Sequence, residues 1–153
     1  MVNNMVVSSF VLKDQHKNDF VLKAYPDRKL LLSFHPLAWT DVCAKQMKSL
    51  EMNWGRLEEL SVLPVGISID SVPTKNAWAN HLEIKNLRLL SDFWPHGEIA
   101  KMYEIFREKD GFSERANILL SQDLTVLWKK IYPIAELPDL DEVFMEIKKA
   151  KER

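Results

Sequence analysis

The sequence of 153 residues contains a single cysteine, and this scarcity limits the chemistry that the cysteine can perform. One cysteine cannot close a disulfide within the chain, and together with the four scattered histidines it matches no metal-ligand spacing. The sequence therefore predicts no metal and no other cofactor. A lone thiol fits a reducing compartment, because disulfides persist mainly in oxidising ones.

Other absences narrow the class of protein. No run of 18 or more apolar residues occurs, so we expect no membrane as a partner. Residues 1–14 show no basic leader followed by a long apolar run, which predicts a cytoplasmic protein. The net charge is −1 with no dominant basic face, so nucleic acid is not an expected partner. The length predicts one domain over residues 1–153.

Apolar runs divide the first half of the chain into strands and a helix. The segment FVLKDQHKNDFVL (10–22) predicts a hairpin, KLLLSF (29–34) predicts a buried strand, and SVLPVGISIDS ends in a second strand near residues 64–70. A helix is predicted between the two buried strands, with Thr40 or Asp41 capping its start. Its apolar face recurs at spacings of four and three: Cys43, Met47, Leu50, Trp54 and Leu57.

The second half of the chain predicts helices and a closing pair of strands. We expect helices at 73–85, 96–106 and 138–153, and a short strand at 87–93. Two strands, ERANILLS and LTVLWKKIY, are joined by a Gln-Asp turn. Helices alternate with strands early in the chain and two sequential strands follow late, which indicates an α/β layer fold with a mixed sheet.

Cys43 has two interpretations that the residue pattern leaves open. Free cysteine is among the most buried residue types, so Cys43 on the apolar helix face is compatible with core packing. It also lies in the opening turn of a helix, where free N–H groups and the helix dipole favour a thiolate. Thr40 places a hydroxyl three residues earlier, able to donate or accept above the sulfur. Pro36 fixes the strand exit and can shield one side of the sulfur from water.

The stretch PLAWTDVC (36–43) carries the pattern Pro-x-x-x-Thr-x-x-Cys and resembles the active-site loop of the peroxiredoxins. The similarity runs from about residue 8 to residue 148, and its elements follow the family's order. They are KLLLSFHP, VGISIDS with AWANHL, RLLSDFWPHGEIAKMY and SERANILLSQDLTVLW. The resemblance implies a thioredoxin-like α/β fold, with a central mixed β-sheet and helices on both faces.

The resemblance also implies roles for four residues. Cys43 corresponds to the peroxidatic cysteine, and Thr40 to the threonine whose hydroxyl holds the peroxide. Pro36 corresponds to the proline that shields the sulfur, and Arg115 to the arginine that binds thiolate and peroxide together. A guanidinium suits that role because it stays protonated and presents its donors in a fixed fork. Apart from the resemblance, nothing selects Arg115 over Arg88 or Arg107.

The implied activity is that of a thiol-dependent peroxidase that reduces hydrogen peroxide or organic hydroperoxides through a Cys43 sulfenic acid. Many relatives use a second, resolving cysteine, which this chain lacks. The resemblance therefore points to the one-cysteine subgroup, with an external thiol or a redoxin-type protein as the reductant. The family also makes a homodimer plausible.

Two departures from the family pattern and two competing functions accompany this interpretation. His35 stands where an aromatic residue is expected, either tuning local charge or serving as a packed substitute, and Gln46 stands where many relatives carry glutamate.

A non-enzymatic redox sensor or holdase on the same fold is the alternative hypothesis, and turnover with a supplied thiol separates the two. A dithiol oxidoreductase fails because Gln46 occupies the place of the second cysteine in Cys-x-x-Cys.

Overall fold

The structure, a computed structural model, describes residues 8–151, and a seven-stranded sheet organises them. The strands in chain order are β1 (Val11–Lys13), β2 (Asp19–Val21), β3 (Lys29–Phe34), β4 (Val62–Ser68), β5 (Arg88–Ser91), β6 (Phe106–Arg107), β7 (Phe112–Ser113), β8 (Arg115–Leu120) and β9 (Val126–Tyr132). The helices are α1 (Asp41–Met52), α2 (Trp54–Glu59), α3 (Val72–Leu82), α4 (Glu98–Met102) and α5 (Leu140–Lys151). The predicted hairpin of residues 10–22 is confirmed as β1 and β2.

The sheet is mixed, as the sequence predicts, and its strand order is β2-β1-β5-β4-β3-β8-β9. Strands β3, β4 and β5 run parallel, whereas β8 is antiparallel to β3 and β9 to β8. Because β3 and β4 are parallel neighbours, the segments that follow their carboxyl ends meet at one edge of the sheet. Phe34 at the end of β3 pairs with Ala116, which brings Arg115 to the same edge.

Apolar layers cover both faces of the sheet, because the central strands alternate their side chains between two cores. In β3, Leu30 and Leu32 point into one core and Leu31 into the other. The core around Leu31 contains side chains from α1, α3 and α5, whereas the opposite core contains Ile99 and Ala100 of α4. Helices thus lie on both faces, and each fully buried leucine stabilises the fold by about 1.5–3 kcal/mol.

The helix predicted through Leu57 is interrupted at Asn53, whose backbone leaves the helical region at φ −106° and ψ 15°. The Asn53 Nδ2 donates to the carbonyl of Ser49 at 2.8 Å and so satisfies an end of α1. Leu57 is nevertheless fully buried in the predicted apolar face, because α2 continues beneath the same sheet. Thr40 occupies the N-cap position of α1, but its side chain makes no capping hydrogen bond.

Three other helices are shorter than their patterns predict, and α3 ends at Leu82 because Glu83 adopts a left-handed backbone. Helix α4 covers only Glu98–Met102, because Gly97 before it and Glu104 after it both adopt positive φ. Helix α5 begins at Leu140, two residues after Pro138, and the last two residues of the predicted helix lie outside the described residues. Among residues 8–151, no helix combines the length and the apolar character that crossing a membrane requires.

We predict that Asp14→Ala loosens the β1–β2 hairpin. The buried Asp14 carboxylate accepts hydrogen bonds from the backbone N–H groups of His16 and Asn18 and from Arg88 Nε, at 2.8, 3.0 and 2.9 Å. Removing it leaves these donors unpaired, so the free energy of unfolding in urea is expected to fall by about 2–3 kcal/mol. The exposed Asp27 is the matched control, with a change within about 0.5 kcal/mol in Asp27→Ala. Equal losses in the two variants would contradict the assignment.

Candidate active site

Cys43 lies in the first turn of α1, with no solvent-exposed surface. The loop of residues 35–40 joins β3 to α1, so the sulfur lies at the carboxyl edge of the sheet. Arg115, the first residue of β8, donates from Nη1 to Cys43 Sγ at 3.2 Å. The sulfur is therefore both buried in the apolar core and in contact with a cation, which combines the two interpretations that the sequence leaves open.

The guanidinium of Arg115 is fixed by three contacts in addition to the sulfur. Nε and Nη2 both donate to the carbonyl of Ile134, at 2.9 and 2.7 Å, and Nη1 also donates to Gln46 Oε1 at 2.8 Å. Among residues 8–150, no carboxylate forms an ion pair with Arg115. The positive charge is therefore buried, oriented and not neutralised by a carboxylate in contact with it.

Gln46 is the neutral residue that links the arginine to the sheet. It lies one turn after Cys43 on α1 and is almost completely buried. Its Nε2 donates to Ser33 Oγ at 2.7 Å and to the carbonyl of Phe34 at 3.2 Å, which leaves Oε1 for Arg115. An uncharged amide in this place orients the guanidinium without cancelling its charge.

Pro36, Thr40 and Arg115 lie around one cleft of about 270 Å³ beside the buried sulfur. Apolar side chains such as Leu37 and Phe112 and the exposed carboxylate of Asp41 complete its walls. Thr40 is exposed at the rim and donates from Oγ1 to the carbonyl of Leu37 at 2.7 Å. The structure thus brings together all four of the residues that the sequence singles out, and the cleft has room for a small substrate.

His35, at the start of the loop, is fully buried behind the cleft. Its ring lies 5.1 Å from the ring of Trp78, centroid to centroid, and its Nε2 lies 3.2 Å from Lys75 Nζ. Burial first, and then the charges of Lys75 and Arg115, hold the pKa of His35 well below its ordinary value. The imidazole is therefore neutral at neutral pH.

Lys75 of α3 is a buried residue that the sequence reasoning missed. Its side chain has no exposed surface, and Nζ donates to Ser68 Oγ as well as contacting His35. Burial lowers the pKa of Lys75 to about 7, while the charges of Asp70, Cys43 and Asp92 oppose that shift. A signal was present in the sequence, because Lys75 shares a helical face with buried residues three, four and seven positions later: Trp78, Ala79 and Leu82.

The described residues form no candidate metal site. Within residues 8–151, no group of three or more His, Cys, Asp or Glu side chains is arranged to hold a metal ion.

Known proteins resemble this chain in sequence along most of its length. The model of the AhpC/TSA family matches residues 4–129. Alkyl hydroperoxide reductase E of Mycobacterium tuberculosis is 30% identical over 131 residues, which cover 85% of each protein. Peroxiredoxin 2 of Thermoplasma acidophilum is 28% identical over 137 residues, covering 86% of this chain and 68% of that protein. These relatives favour the enzymatic interpretation over a sensor or holdase.

Solved structures confirm the thioredoxin-like α/β fold. AhpC of Enterococcus faecalis superposes with a TM-score of 0.90 at 17% identity, covering 97% of this chain and 92% of that one. Peroxidoxin BcpB of Mycobacterium tuberculosis superposes with a TM-score of 0.84 at 22% identity, covering 97% of both chains. With the family match over residues 4–129 and a single cysteine that fits the one-cysteine subgroup, the chain belongs to the AhpC/TSA family of peroxiredoxins.

Proposed function

We propose that Cys43 is the peroxidatic nucleophile of this thiol-dependent peroxidase and that Arg115 is the residue that activates it. The observation that carries this assignment is the 3.2 Å contact between Arg115 Nη1 and Cys43 Sγ, made by a guanidinium that no carboxylate neutralises within residues 8–150. The thiolate, not the thiol, attacks an electrophile. A fixed positive charge beside the sulfur favours the thiolate and stabilises charge that develops during attack.

The proposed reaction begins when a hydroperoxide enters the cleft beside Arg115. The Cys43 thiolate attacks one peroxide oxygen, so that an S–O bond forms as the O–O bond breaks. Sulfur loses two electrons and becomes a sulfenic acid, and the leaving oxygen takes up a proton to depart as water or an alcohol. Thr40 contributes its hydroxyl to the bound peroxide by turning from the Leu37 carbonyl, and Pro36 limits the approach of water.

The proposed recycling step uses thiols from outside the chain, because Cys43 is its single cysteine. One thiol attacks the sulfenic acid, giving a mixed disulfide and water, and a second thiol displaces Cys43 as the restored thiolate. Since Cys43 has no exposed surface, the first turn of α1 has to shift before a bulky thiol reaches the sulfur. We propose that the reductant is a small thiol or a redoxin-type protein.

Three further parts of the proposal concern the protein as a whole. We propose a single domain over residues 1–153 and a cytoplasmic location, which the lone free thiol favours. We also propose a homodimer built around Trp39 at the rim of the site. Trp39 is about half exposed (53%), its backbone has a φ of 69°, and its ring lies 5.2 Å from that of His81. An exposed indole of this kind is a typical anchor of a protein interface.

The first prediction concerns the rate of reaction with hydrogen peroxide, followed by tryptophan fluorescence in a stopped-flow instrument. The wild-type protein should react far faster than free cysteine, and Cys43→Ser should abolish the reaction. Arg115→Ala should lower the rate constant by about 10²–10³, the usual loss when one preorganised donor is removed. The exposed Arg56 is the matched control, and Arg56→Ala should react at the wild-type rate. A wild-type rate equal to that of free cysteine would return Cys43 to a packing role.

The second prediction concerns oxidation beyond the sulfenic acid. Without a resolving cysteine, the Cys43 sulfenic acid persists when thiol is scarce, so excess peroxide should convert it to sulfinic acid. Mass spectrometry after graded exposure to peroxide should show two added oxygen atoms on Cys43, and an added thiol should suppress them. A Cys43 that stays unmodified throughout would rule this prediction out.

The third prediction concerns the oligomer. Sedimentation at several concentrations should give a dimer, and Trp39→Gln should weaken it at least about tenfold, which corresponds to 1.4 kcal/mol. Met52 is another exposed apolar side chain, at 81%, and Met52→Gln should leave the dissociation constant unchanged. A wild-type monomer at every concentration would refute the proposed interface.

A further inference from the structure

Lys75 has no exposed surface, although lysine is almost never fully buried unless it is paired. Its ammonium nitrogen contacts only neutral partners directly, namely Ser68 Oγ and His35 Nε2, the latter at 3.2 Å. Among residues 8–150, no carboxylate lies within ion-pair distance of it. A charge in such a place is costly, so its contact with His35, at the start of the loop that leads to Cys43, requires an explanation.

The contacts of Lys75 lead to two points of the loop that carries Pro36 and Thr40. The first is His35, the residue at the start of the loop. The second is reached through Ser68, whose Oγ donates to Asp70 Oδ2 at 2.7 Å, and the same oxygen accepts the backbone N–H of Ala38 at 2.8 Å. Lys75 is therefore linked directly to the beginning of the loop and indirectly, through Ser68 and Asp70, to its middle.

The charges that face Lys75 come from every element packed around it. Asp70 and Asp92 face it from the ends of β4 and β5, and Cys43 faces it from α1. All three favour the protonated amine, and Cys43 does so as a thiolate. Arg115, from β8, acts on the neighbouring His35. In general, a positive charge near a sulfur favours its ionised form.

We propose that Lys75 is a positioning residue for the peroxidase reaction, which holds the loop of residues 35–40 through His35 and Ser68 and stabilises the Cys43 thiolate with its protonated amine. This inference rests on the proposed role of Cys43 as the nucleophile. Arg115 lines the cleft and contacts the sulfur directly, whereas Lys75 has no exposed surface.

The proposed effect of Lys75 on Cys43 depends on pH, because Lys75 itself titrates. Burial lowers the pKa of Lys75 to about 7, so the amine is protonated below neutral pH and loses its charge above it. The charge is therefore present at low pH, where a thiolate most needs stabilisation, and is lost as the pH rises. When Cys43 becomes a sulfenic acid, one of the negative charges that stabilise the ammonium disappears, and Lys75 releases its proton more readily.

The test is the pH profile of Cys43 reactivity in Lys75→Met, which keeps the length of the side chain and removes its charge. Methyl methanethiosulfonate is a suitable small, neutral probe, because the thiolate forms an S–S bond and displaces methanesulfinate without exchanging a proton. The midpoint of the profile should move upward by about one pH unit, as expected for the loss of a nearby opposite charge. The peroxide rate near pH 7 should fall and recover at higher pH.

Lys45→Met is the matched control, because Lys45 lies on the same helix as Cys43 with 62% of its side chain exposed. Its midpoint should equal that of the wild type. A Lys75→Met protein that is slower at every pH with an unmoved midpoint would overturn the electrostatic role. If the wild-type sulfur itself reacts no faster than free cysteine, the proposed function fails too, so the two failures are distinguishable.

A second measurement uses the wild-type protein, and so does not depend on the folding of the variant. The protons released per modified Cys43 are counted at pH 7 with the same reagent, and the fraction of thiol given by the pH profile is subtracted. A coupled Lys75 should release an additional fraction of a proton, because its negative neighbour has been removed. No additional release would overturn the inference.

Discussion

The site depends on one interaction, the contact between the buried guanidinium of Arg115 and the buried sulfur of Cys43. The sheet provides this arrangement, because β8 pairs antiparallel with β3 and delivers Arg115 to the edge where α1 begins. Gln46 and the Ile134 carbonyl then fix the guanidinium with neutral acceptors. Had a carboxylate taken the place of Gln46, the sulfur would compete with another anion for the same cation.

Burial gives this arrangement its strength and also its cost. Removing the charges from water weakens their hydration and strengthens their attraction for each other. Burial affects the protonation of His35 and Lys75 differently. His35 stays neutral, and Lys75 titrates near neutrality because burial lowers its pKa to about 7. Asp92, whose pKa burial raises to about 6, caps α4 by accepting from Ile99 and Ala100. His35, Lys75 and Asp92 are thus held by hydrogen bonds.

Apolar periodicity predicted most of the fold and part of the site. Strand β3 is recognisable because KLLLSF is apolar throughout, as expected of a strand covered on both faces, and Cys43 with Thr40 and Pro36 are near one another in sequence. Arg115 lies 72 positions from Cys43, and only strand pairing brings them together. The family resemblance, and not the apolar pattern, therefore points to Arg115. Lys75 was missed because a lysine on a helix is ordinarily solvated. The break at Asn53 is local backbone chemistry that an apolar pattern passes over.

In the proposed reaction cycle, the charge balance around Arg115 changes. While sulfur is a thiolate, it offsets the charge of Arg115, the cation in contact with it. A sulfenic acid carries no charge, so oxidation leaves a buried cation facing an empty cleft. The charge of Arg115 then favours the anionic, reactive form of a thiol that enters the cleft. Oxidation of the sulfur by peroxide therefore leaves a positive charge on Arg115 that attracts the thiol reductant.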